Sequence, residues 1–195
     1  MNIFKIFLLV IILITSLSAF TFDKWKSGDT FQDVLYVAQD NDIPLAKDGL
    51  IHSEKHFRWH LLKNKKQYRT FYYYDNIFGE RAKVILSFTS KRNELYKIAI
   101  KWNLMGKDSN EFREMLFTIL NKKYGKKKRQ VETNVGLNVF FNYWIWDYNS
   151  KTIINARTST NNIDITYLDK VVKQSDIQIK KKQKLNMIIK DAGKF

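Results

Sequence analysis

The chain has 195 residues, of which 45% are hydrophobic and 15% aromatic, enough apolar material for a folded core and too much for a disordered chain. Thirty-four Lys and Arg stand against 19 Asp and Glu, a formal charge of +15, so partners with acidic surfaces are favoured. No cysteine is present, which excludes disulfides, thiolate metal sites, a cysteine nucleophile and a lipid-modified cysteine.

Lys5, the nine apolar residues of 6–14 and the small residues ending at Ala19 have the order of a secretory signal peptide. Residues 1–19 are therefore expected to direct the chain to the periplasm or out of the cell. The apolar run is shorter than the ~20 residues that span a bilayer. The leader takes one lysine and no acid with it, so the basic excess belongs to the folded part.

Gly28-Asp29-Thr30 precedes Phe31, Val34, Leu35 and Ala38 at helical spacing, which predicts a helix over 31–40, with Pro44 beyond it and a turn at Lys47-Asp48-Gly49. The period then changes to two. Phe57/Trp59/Leu61, the aromatic run 68–74, Val84/Leu86/Phe88 and Tyr96/Ile98/Ile100/Trp102 predict four antiparallel strands, with Ser90-Lys91-Arg92-Asn93 as a hairpin link and the Lys97/Lys101 face toward water.

Asp108, with Glu111 three residues on, opens a second predicted helix through Phe112, Met115, Leu116, Ile119 and Leu120 to Tyr124, closed by Gly125. Strands are predicted at 137–146, 152–156 and 163–168, with turns at Asn149-Ser150-Lys151 and at 159–162. The lysine-rich tail 169–195 is expected to be the least ordered part, with a last strand near Ile177 and Ile179 and a helical turn or two over 183–190.

These elements predict an α+β fold with an antiparallel sheet and two main helices. Residues 20–168 form the expected domain, with candidate lobes 22–105 and 106–168. Phe31 to Tyr36 matches Phe112 to Phe117 class for class at an offset of 81, which also carries Val84 and Leu86 onto Ile165 and Tyr167, so a tandem duplication of an α-βββ(β) unit is one reading. Any two amphipathic helices share such a pattern, which is the other.

Four groups of residues are candidates for function. His52, His56 and His60 recur every four residues; on a helix they would share a face suited to a metal, whereas on a strand His52 and His60 stand ~26 Å apart. The strand pattern around Trp59 leaves His56 and His60 weak metal candidates, and no cofactor is expected. The chain has no G-x-S-x-G elbow, phosphate loop or H-E-x-x-H motif, and its acids are scattered singly, with Asp147 and Asp164 the exceptions worth noting; an enzyme is not expected. Lys122, Lys123, Lys126, Lys127, Lys128 and Arg129 form a basic run across a helix end and the following loop. The first two suit the helix dipole, and the rest suit an anionic surface. Tyr72, Tyr74, Trp144 and Trp146 form a candidate aromatic face, since runs such as Tyr72-Tyr73-Tyr74 and Tyr143 to Trp146 place large rings on both sides of a strand.

The Gly28-Asp29-Thr30 helix start, the aromatic strand after it and the hairpin over 84–102 resemble the helix-then-sheet module of outer-membrane assembly lipoproteins of the BamE/SmpA type. Two such modules in tandem are similar in outline to secreted β-lactamase inhibitor proteins. The resemblance covers 31–168 and implies a non-enzymatic envelope protein that acts as an interaction module for another envelope protein. The alternative is a peripheral binder of anionic membrane surface or lipopolysaccharide through the basic run and tail. Export makes nucleic acid an unlikely partner.

Overall fold

The first helix is built by purely local chemistry. In α1 (Phe31–Asp40), the Thr30 hydroxyl accepts the Asp33 N–H at 3.2 Å while the Asp33 carboxylate accepts the Thr30 N–H at 2.9 Å. This reciprocal cap satisfies two donors that a helix start otherwise leaves orphaned. Phe31, Val34 and Ala38 are its buried stripe. The helix ends at Asn41, whose side-chain amide donates to the Val37 carbonyl, and Asp42 takes a positive φ to turn the chain before Pro44.

A computed structural model describes residues 20–46, 69–104, 109–127, 129–134, 140–146, 149–159 and 161–192. Residues 1–19, read as a leader, the turn expected at 47–49, the strand expected around Trp59, the three histidines, Asp108, Lys128 and Asp147 lie outside the described residues. A short hairpin, β1 (Thr21–Phe22) with β2 (Trp25–Lys26), leads into α1. The strands β3 (Thr70–Ile77), β4 (Glu80–Phe88) and β5 (Leu95–Asn103) follow, then α2 (Ser109–Tyr124). After α2 come β6 (Arg129–Asn134), β7 (Phe140–Trp146), β8 (Thr152–Thr158), β9 (Asn162–Asp169) and α3 (Lys170–Ala192). Phe78 and Gly79, both at positive φ, link β3 to β4 by the two-residue turn whose twist suits a hairpin.

Seven strands form one antiparallel sheet in the order β3-β4-β5-β9-β8-β7-β6. The fold is α+β. Strands from 22–105 and from 106–168 share this sheet, joined at its centre by the pairing of β5 with β9, where Ile100 faces Ile165. The offset of 81 carries β4 onto β9, and these strands hold different places in the order.

Registry turns sequence alternation into a continuous buried row. Val84, Ile100, Ile165, Ala156 and Trp144 stand side by side across five strands, and all are buried. At the β3 end this face is covered by α1, with Phe31 packed 5.2 Å from Phe71 and 5.7 Å from Phe88, and by Trp25, whose indole N–H donates to the Tyr73 hydroxyl at 2.9 Å. At the β7 end α2 covers it, with Phe117 lying 4.5 Å from Trp144 and 5.9 Å from Trp146.

Two expectations are corrected. The tail is one helix over 170–192, with no strand at Ile177 and Ile179: the Asp169 carboxylate accepts the Val171 and Val172 N–H groups, each at 2.9 Å, and so caps a helix directly off β9. The basic run does not end in a loop, because Arg129 begins β6.

Candidate functional site on the open sheet face

Side chains alternate along a strand, so the row next to each buried row points to the other side of the sheet. That side carries Tyr74, Lys83, Lys101, Asp164, Arg157 and Tyr143, paired strand to strand from β3 to β7. Beside it runs a second row of Tyr72, Ile85, Ala99, Thr166, Asn155 and Ile145. Over these strands the side chains are mostly half-buried or exposed, in contrast to the opposite face.

Two hollows lie on this face. One of about 720 Å³ is lined by Tyr74, Arg81, Lys83, Lys101, Arg157 and Asp164 among others. The second, about 550 Å³, shares Lys101, Arg157 and Asp164 and adds Lys97 and Tyr143. Asp164 is thus the one carboxylate among the described residues lining either hollow, and two cations already draw on it. The Arg157 guanidinium donates to Asp164 Oδ2, and Lys101 Nζ approaches the same oxygen to 3.8 Å. Burial acts to weaken the charge on Arg157, but Asp164 and a hydrogen bond with Tyr143 outweigh it and hold the guanidinium charged. Lys83 Nζ sits 3.8 Å from the centre of the Tyr72 ring and Arg81 lies 4.5 Å from that of Tyr74, so aromatic faces help to place these cations. The described residues that line the hollows carry a net positive charge, which suits an anionic ligand.

The predicted site residues separate into three places. Tyr72 and Tyr74 stand on the open face, Tyr74 half-exposed. Trp144 and Trp146 do not join them: they alternate inward in β7, are buried at 6% and 1% exposure, and pack against Phe117. The Trp146 indole N–H donates to Asn121 of α2, a further reason that ring is structural. Lys122, Lys123, Lys126 and Lys127 are exposed around the end of α2. There Lys127 Nζ lies 5.5 Å from the Trp144 ring centre, on the helix-covered side. β3 and β7 are five strand steps apart, ~24 Å at ordinary strand spacing, so Tyr72 and the basic run do not form one patch. Among the described residues no three His, Asp or Glu side chains gather as a metal site would need.

Sequence reading placed the Lys97/Lys101 face toward water but missed Arg81, Lys83 and Arg157. Each occupies an outward position in an alternating strand, a signal present in the sequence; the registry that unites them is not. Compared with family models, curated proteins and solved structures, the chain matches none of them significantly.

Proposed function

We propose that this chain is an exported, non-enzymatic interaction module of the cell envelope, whose open sheet face holds an acidic segment of another protein. The observation that carries this reading is the sheet face left open among the described residues, where Arg81, Lys83, Lys101 and Arg157 gather around Asp164 beside three tyrosines. Two joined, shallow hollows suit an extended ligand better than an enclosed small molecule. Tyrosines supply anchoring area with few rotatable bonds, and the positive field supplies steering and partner choice. The export part of the reading rests on the order of residues 1–19.

The test is capture of the tagged protein from cross-linked cells of its source, washed at low and high salt, beside the Arg81→Glu/Lys83→Glu variant. A single stoichiometric protein, retained by the wild type and lost from the variant, is the expected result. Equal retention by both would remove the open face from the account.

A second reading, peripheral binding to an anionic membrane surface, is favoured by α3. Its residues 181–189 are all exposed, and Leu185, Ile188 and Ile189 fall on one side at i, i+3 and i+4 with 55–61% exposure, flanked by Lys182 and Lys184. No helix among the described residues is long and apolar enough to cross a membrane. Flotation with phosphatidylglycerol vesicles should then weaken with salt and with Leu185→Ser/Ile189→Ser, and phosphatidylcholine vesicles should not bind.

A further inference from the structure

The first half of α3 lies against the β4–β5 hairpin and is clamped there. Ser90 Oγ and the Lys91 N–H donate to the Asp176 carboxylate at 3.0 and 2.8 Å, Lys180 Nζ pairs with it at 3.0 Å, and Arg92 donates to Ser175. Between this helix and the ends of β3, β4 and β5 is a cleft of about 280 Å³, lined in part by Arg69, Ser87, Lys97, Lys173, Lys180 and Asp176. Among the described residues four cations therefore face one carboxylate, and that carboxylate is already engaged by Lys180 and the hairpin.

Lys97 is the informative residue. It is half-buried, and burial, with Lys101 and Lys173 as like-charged neighbours, holds its ammonium below its ordinary pKa. No acid pairs with it among the described residues. An apolar side chain would cover the sheet here without that penalty, and a bound anion would offset the repulsion between these ammonium groups.

We propose that this cleft binds a small tetrahedral oxyanion, phosphate or sulfate, held between Lys97 of the sheet and Lys173 of α3, with Arg69 at its mouth and the buried Ser87 at its wall. Lys97 also lines the second hollow, but the proposed protein interface is tested on Arg81 and Lys83, which stand away from this cleft, so either idea can fail without the other. A bound anion bridges helix and sheet and so adds to the Asp176 clamp on α3.

Thermal unfolding and calorimetry of the whole chain in sodium phosphate, against sodium chloride of equal ionic strength, test this. The wild type should show saturable binding and a Tm rise of about 5 °C or more at a hundredfold excess over Kd. Lys97→Met should unfold at or above the wild-type Tm in chloride, since it sheds a repelled, half-buried charge, and should lose the phosphate response. Lys173→Gln, at an exposed position, should lose it as well and guards against a folding defect in the first variant. A wild type that responds no more to phosphate than to chloride, or a Lys97→Met protein that keeps the response, overturns the site. Binding only to vesicles bearing phosphatidic acid, with none to free phosphate, overturns it too.

Discussion

The two faces of one sheet have been given opposite chemistries by the same alternation. On the covered face, Val84, Ile100, Ile165, Ala156 and Trp144 form a dry row under α1 and α2, and the polar atoms of Trp25 and Trp146 find side-chain acceptors. On the open face, one position along each strand, Lys83, Lys101, Asp164 and Arg157 form a charged row partly carried by tyrosine rings. The first row holds the fold together. Exposed or half-exposed ion pairs such as those of Lys101 and Arg157 with Asp164 add little to stability, so the second row is where substitutions should leave the fold intact.

Substitutions should therefore split by face. The largest expected effect is on the covered side: Trp146→Ala or Phe117→Ala should cost about 3–5 kcal/mol in denaturant unfolding through lost burial and a cavity between α2 and β7. Next comes Tyr73→Phe, which strips the acceptor from the buried Trp25 indole and should cost about 1–3 kcal/mol. Burial pushes the Tyr73 phenol up to about 12 against the opposing hydrogen bond from Trp25. The unfolded chain releases that proton first, so stability should fall as pH rises from about 10 toward 12, and Tyr73→Phe should flatten the fall.

Asp176→Asn sharpens the comparison at the edge of the open face. Burial alone would raise this carboxyl, but the Lys180 ammonium, the Lys91 N–H and the Ser90 hydroxyl outweigh it and hold it below its ordinary value. Its contribution is present above the ordinary carboxylate pKa and is lost as pH falls through the depressed one. The variant should lose about 1.5–3 kcal/mol near neutral pH, the worth of charge-assisted hydrogen bonds, and part of its acid dependence. Hydrogen exchange should show faster opening of α3 over 170–180. The smallest expected effect is that of Arg81→Ala/Lys83→Ala, within about 0.5 kcal/mol of wild type in unfolding, with the loss appearing in partner capture instead.

What could be read from the sequence follows from the range of the interactions involved. α1 was legible because its cap, Thr30 with Asp33, and its stripe of Phe31, Val34 and Ala38 are local. β4, β5, β8 and β9 were legible because alternation is local as well. α3 was not, since Ile177 and Ile179 among lysines satisfy a period of two, and what decides the matter is the Asp169 cap and a tether from Asp176 to a hairpin far away in sequence. β6 escaped because Val131 is its only large apolar residue. β7 has bulky residues at both parities, so only the position of α2 tells that Trp144 and Trp146 are inside while Tyr143 and Ile145 face the hollow. The open-face site was hidden for the same reason as any sheet surface: its residues come from six strands, and registry is a tertiary property.

The most direct measurement of the central claim compares the faces in the cell. A photo-reactive phenylalanine analogue at Tyr74, on the open face, is set beside one at Thr118, exposed on α2 over the covered face, and adducts are collected after irradiation. One discrete protein adduct is expected from position 74 and none from 118. An adduct from position 118 alone, or the same spread of adducts from both, would contradict it.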